Sequence, residues 1–159
     1  MRHTISVLVE NKFGVLARVA GLFSGRGFNI SSLAVGETTD PDISRMTIVV
    51  DDQGTPQIME QVEKQLNKLV NVLKVTDFSG QEFVGREMLL LKVKTTAKSR
   101  SEIMEIAQIF RSRIVDVSTS SLVLEITGDQ GKIQAILKLL QRFGIRELVR
   151  TGEIAIARS

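Results

Sequence analysis

The apolar residues of this chain follow two different spacings in successive segments. The same order of segments occurs in each half of the chain. In residues 4–9 the apolar residues recur at every second position, as in a strand with one buried face. In residues 15–23 they recur every three to four positions, as in a helix with one apolar stripe. The first half therefore predicts the order βαββαβ, with elements at residues 4–9, 15–23, 29–35, 46–50, 58–69 and 72–75.

Local signals place several helix ends. Gly25 and Gly27 follow the first helix, and glycine favours the left-handed conformation that ends a helix. Thr55 is predicted to cap the second helix, with Pro56 at its first position, where the missing N–H costs little.

The second half repeats the order after a predicted linker at residues 76–85. Ser99 and Glu102 predict a capping box at the start of a helix, and Asp129 predicts an N-cap for another. The remaining elements are a strand at residues 88–93, a hairpin of residues 114–117 and 122–126, and final strands at residues 147–150 and 154–156.

Two consecutive βαββαβ units of about 75 residues each predict an α+β chain with two ferredoxin-like domains. Their predicted limits are residues 1–79 and 80–159. In such a unit both helices cover one face of an antiparallel sheet. The other face and the edge strands stay open, and open edges favour self-association.

The composition excludes several classes of function. The chain has no cysteine, which excludes thiolate metal sites and cysteine nucleophiles, and a single histidine, His3, which we expect to be exposed or half-buried. Neither a serine elbow nor a phosphate loop is present, so no catalytic residue and no metal ligand is predicted. The predicted strand centres lack an aromatic pair for stacking bases, and the basic residues are scattered singly, so we expect no nucleic-acid partner.

The expected location is cytoplasmic. No apolar run approaches the roughly 20 residues that span a bilayer, and no signal peptide is visible, so we expect no membrane association.

Residues 10–16 carry the most specific physical proposal. They join the first strand to a helix N-terminus, where backbone N–H groups without an internal partner attract a carboxylate. Gly14 permits close approach to the backbone, and Asn11 offers both a donor and an acceptor. The alternative, that Asn11 and Gly14 merely form a loop, remains equally open from these residues alone.

Residues 9–18 resemble the corresponding loop of ACT domains, which sense amino acids. Residues 21–30, 44–49 and 65–69 look like the small regulatory subunit of acetolactate synthase, also called acetohydroxyacid synthase. Residues 86–90, 109–111 and 114–117 resemble the second domain of that family, so the resemblance covers essentially the whole chain.

The resemblance implies that the chain is not an enzyme. It implies a regulatory subunit that activates a separate large catalytic subunit and confers feedback inhibition by valine in the synthesis of valine, leucine and isoleucine. The large subunit would hold thiamine diphosphate, magnesium and FAD, and this chain would hold no cofactor. The first domain, an ACT domain, would form a homodimer with valine at the interface.

By the same resemblance, the effector site has two parts. Asn11 and the backbone of Gly14, Val15 and Leu16 match the loop of one protomer, and Asn29 and Ile30 match the facing segment of the other. Two other classes of function stay open: a free-standing ACT-type regulator of another protein, and a small ferredoxin-like enzyme.

Overall fold

The computed structural model describes residues 1–55 and 57–159, which form two compact units. The first unit contains Met1–Val84 together with Glu153–Ser159, and the second contains Gly85–Gly152. Each unit has an antiparallel sheet and two helices in the order βαββαβ. The predicted fold class is confirmed.

The first unit follows the elements that the apolar spacing predicts. The sheet order is β2-β3-β1-β4, so the first strand is central and the second and fourth lie at the edges. Pro56, the predicted first residue of the second helix, lies outside the described residues. The elements are β1 (Arg2–Glu10), α1 (Val15–Gly25), β2 (Asn29–Glu37), β3 (Ile43–Asp51), α2 (Gln57–Asn67) and β4 (Val72–Asp77).

The core of the first unit lies between the sheet and its two helices. Alternate residues of β1, Ile5, Val7 and Val9, face the helices, since successive side chains of a strand point to opposite faces. Phe23 of α1 and Leu66 of α2 complete this core and are fully buried. The predicted stripes of both helices therefore pack as expected, except that Leu16 is about half exposed.

The second unit has the same topology. Its sheet order is β6-β7-β5-β8, and its buried core includes Leu91, Leu124, Ile103 and Ile136. The elements are β5 (Phe83–Lys94), α3 (Arg100–Ile109), β6 (Arg113–Val117), β7 (Ser121–Gly128), α4 (Gln130–Leu140) and β8 (Ile145–Arg150). A last strand, β9 (Ile154–Ala157), pairs with β5 but lies outside this unit.

One of the two predicted helix caps in the second half forms. Asp129 accepts a hydrogen bond from the backbone N–H of Lys132 at 2.8 Å. The capping box of Ser99 and Glu102 is wrong: Ser99 has helical backbone angles (φ −88, ψ −17), and its side chain makes no capping hydrogen bond. A capping side chain needs an extended backbone, and the Ser99 hydroxyl instead accepts from the N–H of Thr96 at 2.9 Å.

The domain limits differ from the prediction at both ends of the second half. The predicted linker is mostly ordered, because β4 continues to Asp77, Phe78 is buried and β5 begins at Phe83. The division falls after Val84 rather than after Ser79. Residues 153–159 belong with the first unit, since β9 contacts β1.

The rear face of the first sheet, turned away from the helices, is not open as expected. Ser6, Thr47 and Val49 alternate with core residues and therefore point to this face, yet all three are buried. Glu153 lies on this face, where its side chain accepts a hydrogen bond from Thr4. The C-terminal segment thus covers part of the surface that the prediction left for a partner.

Candidate functional site

The loop between β1 and α1 ends in a glycine whose backbone is left-handed. Gly14 has φ 83 and stands directly before α1, which has no side-chain cap. The N–H of Val15 donates to the carbonyl of Lys12 at 3.3 Å, and that of Arg18 to the carbonyl of Gly14 at 3.1 Å. Among the described residues, the N–H groups of Leu16 and Ala17 have no acceptor.

This helix start therefore carries two free donors at the positive end of the helix dipole. The family resemblance predicted that the backbone of Val15 and Leu16 contacts the effector, but the N–H of Val15 already donates to the carbonyl of Lys12. Ala17, which the sequence reasoning missed, supplies the second donor. Ala17 could have been predicted, because the first four N–H groups of a helix have no partner within the helix and Ala17 is the third residue of α1.

Asn11 ties this loop to the end of β2. Its backbone N–H donates to the carbonyl of Asp42 at 2.7 Å, and its side-chain amide donates to the carbonyl of Pro41 at 2.9 Å. The same amide lies 3.3 Å from Oε1 of Glu37, the last residue of β2. The side-chain oxygen of Asn11 is the part left to accept a hydrogen bond from a ligand.

The basic residues near the loop are engaged within the chain. Lys12 pairs with Glu10 at 2.8 Å, and this hydrogen bond and charge lower the pKa of the Glu10 carboxyl. Arg18 donates to the side-chain oxygen of Asn71 at 2.7 Å. The positive potential offered to an anion therefore comes from the backbone of α1 more than from these side chains.

Apolar side chains surround the same loop. Val15 is buried in the core, whereas Leu16 is about half exposed and Phe13 fully exposed. Val35 near the end of β2 is also about half exposed. The loop thus combines free N–H donors with accessible apolar groups, which suits a small molecule with a carboxylate and an apolar side chain.

The structure does not bring all six predicted residues together within one chain. Asn29 pairs with Asp51, and Asp51 pairs with Arg2, so Asn29 lies level with the start of β1. The loop that contains Asn11 and Gly14 follows Glu10, at the other end of β1. Because β1 has nine residues, the two groups lie roughly 27 Å apart at about 3.3 Å per residue. Asn29 is exposed and Ile30 is partly buried against the core.

His3 is buried, contrary to the prediction that it is exposed or half-buried. Its Nε2 lies 2.7 Å from Oδ2 of Asp52, and its Nδ1 lies 2.6 Å from Oγ of Ser79. The hydrogen bonds from His3 and from the N–H of Gly54 hold the pKa of the Asp52 carboxyl well below its usual range. These contacts tie the start of β1 to the ends of β3 and β4.

The described part of the chain contains no group of three or more His, Cys, Asp or Glu side chains arranged to hold a metal ion. The second unit has an open cavity of about 650 Å³ beside Arg100. Arg100 donates to the carbonyl oxygens of Ser118 and Thr119, so it fixes α3 to the hairpin turn. No described helix is long and apolar enough to cross a membrane.

Comparisons with known proteins cover both units. Residues 5–74 match the family model of the AHAS small subunit-like ACT domain, and residues 86–159 match the model of the small subunit of acetolactate synthase. A probable acetolactate synthase small subunit from Archaeoglobus fulgidus is 54% identical over 158 residues, which cover 99% of this chain and 98% of that protein. The chain belongs to the acetolactate synthase small-subunit family.

Further relatives agree with this membership. The acetolactate synthase small subunit of Mycobacterium bovis is 53% identical over 156 residues, 98% of this chain and 92% of that protein. The crystal structure of the acetolactate synthase small subunit from Thermotoga maritima is 43% identical with a TM-score of 0.88, covering 100% of this chain and 98% of that one. The first unit is accordingly an ACT domain, as predicted.

Proposed function

We propose that this chain is a non-catalytic regulatory subunit that activates the large subunit of acetolactate synthase and makes it sensitive to feedback inhibition by valine. Membership in the small-subunit family supports the partnership with a large catalytic subunit. The observation that carries the regulatory part is the helix start after Gly14, with the free N–H groups of Leu16 and Ala17. By setting the activity of acetolactate synthase, the chain would control the synthesis of branched-chain amino acids.

The effector site is proposed to form between two copies of the chain. β2 is an edge strand of the first sheet, so it is free to pair with β2 of a second copy about a two-fold axis. In an antiparallel pair, the start of one β2 lies beside the end of the other. Asn29 of one copy would then approach Glu37 and Asn11 of the other, which are already in contact.

Valine fits the chemistry of such an interface. Its carboxylate would accept hydrogen bonds from the N–H groups of Leu16 and Ala17 at the start of α1. Its ammonium would donate to amide or carboxylate oxygens of Asn11 and Glu37. Its isopropyl group would lie between the side chain of Leu16 and Ile30 of the second copy.

The cofactors of the reaction are proposed to reside on the large subunit. Thiamine diphosphate, magnesium and FAD are assigned there on the family resemblance alone, and none is assigned to this chain. The cytoplasmic location expected from the sequence likewise stays a prediction.

Reconstitution tests the proposal directly. The purified chain alone should form no acetolactate, and adding it to the purified large subunit should raise the rate of acetolactate formation. Valine should then lower that rate, and calorimetry should detect valine binding to the isolated chain. Acetolactate formation by the chain alone, or a large subunit indifferent to it, would contradict the proposal.

A further inference from the structure

Three consecutive residues near the C-terminus are held in different units. Thr151 belongs to the second unit, where its N–H donates to the carbonyl of Met88 at 3.1 Å and its hydroxyl accepts from the N–H of Met88 at 3.1 Å. Glu153 belongs to the first unit. Only Gly152, whose φ of 86 is left-handed, stands between these two residues.

Glu153 joins two strands of the first sheet. Its N–H donates to Oγ of Ser32 on β2 at 3.1 Å, and its Oε1 accepts from the hydroxyl of Thr4 on β1 at 3.0 Å. Ser32 and Thr4 both pair with Val49 of β3, so Glu153 bridges β2 and β1 across the strand between them.

Both bridged strands lead to the proposed effector site. Ser32 lies three residues after Asn29, and β1 runs directly into the loop of Asn11 and Gly14. The pairing of β2 with β3 is irregular between Ile30 and Ser32, so a regular ladder does not hold this stretch of β2. A shift of β2 when an effector binds would therefore act on the hydrogen bond between Ser32 and Glu153.

We infer that residues 151–153 transmit effector binding from the first unit to the second, with Glu153 as the positioning residue. The inference rests on the proposed function. Thr151 is fixed by two hydrogen bonds to Met88 on β5, the central strand of the second sheet. Only Gly152 separates Glu153 from Thr151, so the hydrogen bonds of these two residues form one contiguous path, the kind of network through which energetic coupling between sites travels.

Substitution of Glu153 separates binding from transmission. Glu153→Ala removes the acceptor for Thr4, whereas Glu153→Gln keeps an oxygen that accepts from it. Glu82→Ala is the matched control, because Glu82 is an exposed acidic residue of the same unit whose partner is Arg158 at 3.1 Å.

The readout is the ratio of synthase activity without valine to activity at saturating valine. We expect Glu153→Ala to lower this ratio about fivefold or more, while Glu153→Gln and Glu82→Ala stay close to wild type. The dissociation constant of valine from the isolated chain and the activation of the large subunit without valine should each change less than about twofold in all three variants.

An insertion provides a second test that leaves every side chain in place. Two glycines added between Gly152 and Glu153 should lower the ratio as Glu153→Ala does. The same insertion after Gly80, an exposed residue with φ 77 in the loop between β4 and β5 of the first unit, should not.

The outcomes separate the two claims. A wild-type chain that neither binds valine nor confers inhibition would overturn the proposed function. Normal inhibition in Glu153→Ala and in the Gly152 insertion, or an equal loss with the Gly80 insertion, would overturn the inference and leave the proposed function standing.

Discussion

Replacing Gly14 by aspartate places a carboxylate directly before the free N–H groups of α1. A Cβ at Gly14 would meet nothing within 4 Å, so the first atom of the new side chain has open space. Its charge is then the main perturbation to a ligand carboxylate. The aspartate also competes for the same donors, the N–H groups of Leu16 and Ala17.

The magnitude follows from the charges. Two like charges 4 Å apart repel by about 4 kcal/mol at an effective dielectric constant near 20. This corresponds to a loss of valine affinity on the order of a thousandfold. The backbone contributes separately: at φ 83, a residue with a Cβ costs about 1–2 kcal/mol, partly offset by about 0.3–1 kcal/mol from a negative charge at a helix N-terminus.

Gly14→Asn is the matched control. It has nearly the same shape and backbone strain but no charge, so it should lose far less valine affinity than Gly14→Asp. Both variants should remain folded, with melting temperatures lowered by roughly 4–8 °C for about 1 kcal/mol.

The assay is a valine inhibition curve of the reconstituted synthase with each variant. Gly14→Asp should activate the large subunit nearly as wild type does and resist valine. If Gly14→Asp stayed fully valine-sensitive, the placement of the effector carboxylate at α1 would be wrong. Equal resistance in Gly14→Asn would assign the effect to strain instead of charge.

Three further predictions follow from the same structure. Asn29→Ala should weaken valine inhibition less than Gly14→Asp, since it removes a polar partner without adding repulsion; inhibition curves check this. Sedimentation at micromolar concentration with valine present should give a dimer or larger species, and a monomer would refute pairing through β2. The depressed pKa of Asp52 stabilises the fold above the ordinary value of 3.8, so stability should fall as pH drops through and below that value. Asp52→Asn should show a smaller fall in melting temperature between pH 7 and pH 3.

The elements themselves could be predicted because burial imposes a period on the sequence. Ile5, Val7 and Val9 alternate as a half-buried strand must, and they form the core that this alternation predicts. The same alternation predicts that His3, two residues before Ile5, faces the buried side of the sheet. The prediction was missed because a histidine is not counted among the apolar residues. Its partners Asp52 and Ser79 lie far from it in sequence.

Long-range placement could not be predicted from periodicity. Residues 154–156 alternate as a strand in either sheet would, so their spacing did not reveal that β9 pairs with β5 yet lies in the first unit. The distance between Gly14 and Asn29 depends on strand register, which the sequence does not state. The capping box failed because Thr96 competes for the Ser99 hydroxyl.

The return of residues 153–159 to the first unit also has a consequence for the order of folding. A nascent chain leaves the ribosome from its N-terminus, and domains generally fold as units during synthesis. The sheet of Met1–Val84 can pair its four strands early, yet Thr4 and Ser32 gain their hydrogen bonds to Glu153 only after the whole of Gly85–Gly152 has been made. The first unit to begin folding is therefore the last to be completed.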